Sequence, residues 1–222
     1  MKAGNRNYRS PADLPEAIPV FPLSGALLLP RGQMPLNIFE PRYLAMVDAA
    51  LAGNRIIGMI QPIGEGVVGA PSLQPIGCAG RITSFNETGD GRYAITLTGI
   101  ARFRTVAELP PEAETPYRSF RITAEPFAAD FINAGENDVD RETLLDAFRA
   151  YLDAHNLEAD WESVDNASNE ALVNAIAMIS PYGPAEKQAL LEAPDLKSRA
   201  ETLIAITEME LARSEGSGGT LQ

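Results

Sequence analysis

The chain has 222 residues, 45% of them apolar, and a formal net charge of −12, so it can bury a real core as one large or two small domains and is too apolar for wholesale disorder. One cysteine, Cys78, and one histidine, His155, exclude an internal disulfide, a cysteine-based metal cluster and most zinc or two-histidine iron sites. The longest aliphatic run, Ala26 to Leu29, is far short of a membrane span, and Met1 to Ser10 has no apolar signal-peptide core, so a soluble, cytoplasmic chain is expected.

Residues 1–15 are expected to form a flexible amino terminus. From Ile18 to about Phe127, short apolar stretches punctuated by Gly and Pro predict many strands. Ile56 to Ile60 is one such run, closed by Pro62 and Gly64. Gly80 to Phe85 and Arg92 to Leu97 flank Asn86-Glu87-Thr88-Gly89-Asp90-Gly91, a hairpin signal because these residues readily take positive φ. Tyr93, Ile95 and Leu97 alternate with Ala94 and Thr96, the period of a strand with one buried face, and Tyr117 to Ala124 alternates in the same way. One helix interrupts the strands: Pro41 suits a first helical turn, Glu40 complements its positive end, and Gly53 stands where the helix should stop. Leu44, Val47 and Leu51 are its expected buried stripe.

From about Asp138 the period becomes helical. Leu144, Leu145, Phe148, Tyr151 and Leu152 form one stripe, and Leu172, Ile176 and Ile179 a second that ends at Pro181 and Gly183. Pro184 opens a short helix through Leu191, and Pro194-Asp195 opens another to about Arg213, with Ala200, Leu203, Ile204, Thr207 and Leu211 inward. Ser214 to Gln222, rich in Gly and Ser, is expected to be a loose, disordered tail. Charge divides at the same place: residues 1–126 hold 12 basic and 11 acidic groups, and residues 127–222 hold 6 basic and 19 acidic. A field of that sign disfavours nucleic acid and anionic lipid.

Several motifs carry less than they suggest. Gly64-Glu65-Gly66-Val67-Val68-Gly69 satisfies G-x-G-x-x-G, but Pro71 and Pro75 follow where a phosphate-binding helix would have to start, so a loop is expected. There is no P-loop sequence, and Lys187 and Lys197 lie among charged or polar neighbours, as on solvated helix faces. His155, after an apolar helix, reads as a residue that bonds the helix's last carbonyls, and Cys78 reads as a small buried strand residue. Glu158, Asp160, Glu162 and Asp165 lack a calcium-loop pattern and surround Trp161; they read as a solvated connector anchored by that ring. The sequons at Asn86 and Asn166 are read as chance matches. No nucleophile, base and orienting group come together, so no catalytic residue, metal or cofactor is expected.

The most informative stretch is near the start. Ile18-Pro19-Val20-Phe21-Pro22-Leu23 leads through Leu27-Leu28-Leu29-Pro30-Arg31-Gly32 to Pro35-Leu36-Asn37-Ile38-Phe39-Glu40-Pro41-Arg42-Tyr43. It reads as a strand, a proline-stiffened crossing, a second strand and a helix entry, with prolines at strand ends or edges. This string closely resembles the opening of the LON substrate-binding domain, the amino-terminal region of ATP-dependent Lon-type proteases. The resemblance continues at Gly77-Cys78-Ala79-Gly80-Arg81-Ile82, at Tyr93 to Phe103 with its Gly99 and Arg102, and at Pro181 with Glu186 to Glu192.

The resemblance covers roughly residues 16–213. It implies an α+β fold, with a PUA-like β-barrel over 16–127, an acidic helical bundle over 128–213 and a tail over 214–222. It also implies recognition of polypeptide segments or partner proteins. The chain stops where the ATPase of those proteases would begin, so proteolysis is not carried over and a non-catalytic module is expected. Binding is expected by strand addition at an open barrel edge or by apolar contacts in a groove between barrel and bundle. Phe39, Arg42 and Tyr43, which join aromatic area to a forked cation, are the candidate peptide contacts; the structural alternative is that the two rings pack the helix and Arg42 pairs locally. An RNA-binding PUA-like protein and a hydrolase using Ser24 or Asp90 are the other classes, and the sequence does not settle oligomeric state.

Overall fold

The computed structural model describes residues 1–64, 71–111 and 115–218, with backbone alone for 214–218. Contacts divide it into two compact units, Met1–Asn133 and Ala134–Gln222. In the first, β1 (Lys2–Ala3) and β2 (Arg6–Asn7) form a small hairpin. There follow β3 (Ala17–Pro22), β4 (Gln33–Ile38), α1 (Pro41–Ala52), β5 (Ile56–Ile60), β6 (Ile76–Glu87), β7 (Tyr93–Glu108) and β8 (Ser119–Thr123). The six longer strands run in the order β4-β7-β6-β5-β3-β8, and β8 also pairs with β7, so the pairings return on themselves and leave β4 outside the circuit. Only β3 and β5 are parallel; such a pair needs a crossover, which β4 and α1 supply.

Close approach explains the glycines in the second half of the resemblance, and a buried ion pair explains the basic residue. Phe103 is fully buried, and a Cβ on Gly77 or Gly58 would lie 2.7 or 2.9 Å from its ring. Gly99 is crossed by the chain from Leu29 to Gly32: it donates to the Gly32 carbonyl at 2.9 Å and accepts from the Arg31 N–H at 2.9 Å. Arg102 is 3% exposed and grips Asp130 through Nε–Oδ2 at 2.9 Å and Nη2–Oδ1 at 2.8 Å.

In this unit three expectations need correction. The amino terminus is not a flexible lead, because Ala3 and Tyr8 are fully buried in the core of this unit and Leu14 nearly so. The first unit extends past residue 127, because Asp130 is held by Arg102 and the Asp130 and Ile132 carbonyls accept from Arg31. In α1 the buried stripe is Tyr43, Met46, Val47 and Ala50, with Leu44 and Leu51 half-buried on its flank. The Gly64–Gly69 motif lies outside the described residues beyond Gly64.

The second unit contains α2 (Arg141–His155), α3 (Trp161–Asn166), α4 (Asn169–Ile179), α5 (Pro184–Glu192) and α6 (Leu196–Gly218), with α2, α4 and α5 packed on α6. Asp140, Asp160, Ser168 and Asp195 each accept a backbone N–H in the first turn of α2, α3, α4 and α6, and the Glu136 carboxylate receives the first two N–H groups of α4. Cations close several helix ends. Arg141 donates to the Val164 and Ala167 carbonyls at the end of α3, Lys187, which is buried and not on the solvated face expected of it, to the Met178 carbonyl of α4, and Arg199 to the Leu190 carbonyl of α5. The first stripe is buried throughout. In the second, Leu172 and Ile176 are buried but Ile179, the last residue of α4, is 75% exposed. The α6 backbone continues to Gly218, so the first residues of the expected tail are helical; extending a formed helix is far easier than starting one.

The capping bonds make the second unit acid-sensitive. Backbone N–H bonds lower the Asp140 carboxyl, and bonds from Ser163 and Ser198 lower Asp160 and Asp195, from an ordinary value of 3.8. A depressed native pKa gives stability that is fully present above the unfolded value and is lost as pH falls through the native one. The helical melting temperature, followed by circular dichroism, is therefore expected to be flat down to about pH 5 and to fall below about pH 4, with Asp140→Asn and Asp195→Asn together flattening that fall. An equal acid fall in the double variant would show that these caps do not carry it.

Candidate functional site

β4 is where the sheet stops. It pairs with β7 over six consecutive residues, from Gln33 opposite Thr98 to Ile38 opposite Tyr93, and among the described residues no strand pairs with its other side. A free edge presents a row of N–H and C=O groups that can template another strand. Pro35 sits within the ladder without breaking its register; a proline fits where its nitrogen faces away from the neighbouring strand. The outward donors are therefore Gln33 and Asn37, and Pro35 offers a carbonyl alone.

Side chains alternate along this edge: Gln33, Pro35 and Asn37 are exposed, and Met34 and Leu36 half-buried. Leu36, Ile95 and Phe85 form one cross-strand row. The Phe85 ring meets that of Tyr93 edge-on at 5.0 Å, and a hydrogen bond to Asp48 of α1 raises the Tyr93 phenol above its ordinary range. An incompletely covered apolar rim thus runs beside the free backbone.

Of the three candidate contacts, only Phe39, just past the end of β4, is strongly exposed, at 62%. Tyr43 is buried, with its ring 4.2 Å from that of Phe21, and burial raises its phenol pKa. Arg42 lies over the Tyr43 ring at 4.5 Å and donates to the Glu40 carboxylate at 2.9 Å. Tyr43 and Arg42 therefore follow the structural alternative, whereas Phe39 does not. Met34, Leu36 and Phe85 are rim residues that sequence reading missed; the signal was Pro35 inside an alternating run, which marks an edge strand.

Elsewhere the chemistry-bearing residues have structural places. His155 Nδ1 lies 2.8 Å from the Tyr151 carbonyl one turn back, and its ring stacks on Tyr151. Cys78 is buried in β6. Trp161 meets Phe148 edge-on at 6.4 Å and lies under Arg149. Among the described residues no group of three or more His, Cys, Asp or Glu is placed to hold a metal ion, and no helix is long and apolar enough to cross a membrane.

A sheet plus helices defines an α+β fold, and among the described residues no strand covers the outer side of β4 in the six-stranded sheet. Residues 17–208 match the family described as the ATP-dependent protease La (LON) substrate-binding domain, and the chain belongs to that family. It is 28% identical to Lon protease 2 of Myxococcus xanthus, over 87% of this chain and 24% of that protein. It is 29% identical to Lon protease 2 of Sorangium cellulosum, over 95% of this chain and 27% of that protein. The chain thus spans about a quarter of the length of these relatives. Its fold is similar to the Lon N-terminal domain protein from Xanthomonas campestris, with a TM-score of 0.60 at 21% identity, covering 85% of this chain and 97% of that one. The N-terminal domain of a Mycobacterium avium complex Lon protease gives 0.59 at 18% identity, covering 86% and 98%.

Proposed function

We propose that the chain is a non-catalytic polypeptide-binding module of PUA-like barrel and helical bundle, which takes an extended segment along the free edge of β4. The single observation that carries this reading is the edge itself: six residues of regular strand with one side unpaired among the described residues, beside the half-covered Met34 and Leu36 and the exposed Phe39. Main-chain bonds to such an edge supply affinity, and flanking pockets for alternate side chains supply preference. In this reading Phe39 touches the bound segment, Arg42 flanks it, and Tyr43 positions the helix turn that holds both. The match to a family described as substrate-binding supports polypeptide as the partner.

Binding of a permanently unfolded, carboxymethylated protein, followed by fluorescence anisotropy, tests the assignment. Phe39→Ser and Asn37→Pro are each expected to weaken binding by about fivefold to tenfold, through a lost aromatic contact and a lost outward donor. Tyr43→Ala is expected to lower stability as well, by about 3 kcal/mol, as a buried ring removed from the core. Unchanged affinity in folded Phe39→Ser and Asn37→Pro proteins would remove the site from β4.

A further inference from the structure

The free edge of β4 has one charged end. Ile38, Tyr93 and Glu87 stand opposite one another across β4, β7 and β6. They lie two residues on from the row of Leu36, Ile95 and Phe85, and therefore on the same face of the sheet. Asp48 of α1 reaches that row as well, because its carboxylate accepts a hydrogen bond from the Tyr93 hydroxyl. That bond, and further the nearby charges of Asp48 and Glu87, hold the phenol above its ordinary range. Tyr93 thus places two carboxylates, both exposed, at the Ile38 end of the apolar rim. At the other end the same face carries the uncharged row of Met34, Leu97 and Ile82.

Among the described residues neither Asp48 nor Glu87 has an ion-pair partner. Arg42 of α1 and Arg92, the residue before Tyr93, face Glu40 and Asp90 instead. A segment paired to β4 lays alternate side chains on this face. Valine, leucine or isoleucine fits beside Met34 and Leu36. A lysine or arginine beside Ile38 lays its aliphatic stem along the rim and carries its charge toward Asp48 and Glu87. A carboxylate in that place meets two others and is repelled. We propose that the β4 edge selects extended polypeptide segments that are apolar at alternate positions and carry a lysine or arginine beside Ile38. This selectivity rests on the reading of β4 as the binding edge.

The test titrates the full chain, by anisotropy, with labelled short peptides in which valine and threonine alternate. Both end residues fall on the valine face and are glutamine, lysine or glutamate, so that strand direction does not matter. The lysine peptide is expected to bind the parent about threefold to fivefold more tightly than the glutamine peptide, and the glutamate peptide more weakly, with the differences shrinking in salt. Asp48→Asn with Glu87→Gln is expected to remove the advantage of lysine and to leave the glutamine peptide unchanged. Glu16→Gln with Glu125→Gln, at exposed carboxylates beside β3 and β8, is expected to keep that advantage; circular dichroism checks folding throughout. Equal affinity of the lysine and glutamine peptides overturns the selectivity while leaving the edge in place. So does an advantage that survives in the Asp48 and Glu87 variant or vanishes in the Glu16 and Glu125 variant. Absent binding of all three peptides, or binding that Asn37→Pro leaves intact, overturns the edge reading itself.

Discussion

Replacing Asp130 by alanine is expected to cost the first unit about 3–5 kcal/mol, the range for removing one partner of a buried ion pair. Arg102 and Asp130 are 3% and 7% exposed. The carboxylate takes two guanidinium bonds and the Arg102 backbone N–H, at 2.8–2.9 Å. Alanine at 130 would leave a buried cation without its carboxylate and a buried N–H without its acceptor, and neither loss is repaid by water at this depth. The guanidinium also lies 4.8 Å over the Phe127 ring, a contact that survives the change but is worth only about 0.5–2 kcal/mol. Urea unfolding should be read by hydrogen exchange at β6 and β7, because the single tryptophan, Trp161, belongs to the other unit. The double variant Arg102→Met with Asp130→Leu, which removes both charges, is expected to recover most of the loss. A single variant within about 1 kcal/mol of the parent would show that the pair is not the clamp described.

The second large effect is expected at Gly99. A methyl there would overlap the Leu29 carbonyl and lie 3.3 Å from the Leu28 side chain. Relief requires lifting the crossing segment, which carries the buried Leu27, Leu28 and Leu29 and ends at Arg31, whose guanidinium holds the Asp130 and Ile132 carbonyls. Gly99→Ala should therefore exceed an ordinary overpacking change and cost about 3 kcal/mol or more. Because β4 follows this crossing directly, the variant should also weaken unfolded-protein binding in whatever fraction remains folded. A loss below about 1 kcal/mol would mean that the crossing yields easily, and would remove close approach as the reason for glycine here.

Much of the architecture was legible because the signals are local. The hairpin of β6 and β7 follows from Asn86 to Gly91 between alternating runs, and α2 from five apolar residues at helical spacing, all five of which are buried. His155 and Cys78 could be assigned structural places from their immediate neighbours. The edge character of β4 was partly legible, since Pro35 marks a strand that borders solvent. Which side chains stay uncovered beside it was not, because Phe39 and Tyr43 are four residues apart and differ only in what the rest of the fold lays over them.

The amino-terminal hairpin shows the same limit. Ala3, Tyr8 and Leu14 follow neither a helical nor a strand period, so nothing local marks them for burial, and each is buried by the distant elements it meets. The end of the first unit was hidden for a related reason: Arg102 and Asp130 lie 28 residues apart, and an ion pair leaves no periodic trace. Ile179 had the spacing of a core residue, yet spacing reports which face of a helix is apolar and not whether a neighbour reaches its last turn. Length, apolar pattern, turn chemistry and ordered motifs thus established the family and the order of elements, since each acts within a few residues. The edge, the buried clamp and the exposure of Ile179 are decided by contacts between segments remote in the chain, and they exist only once it has folded.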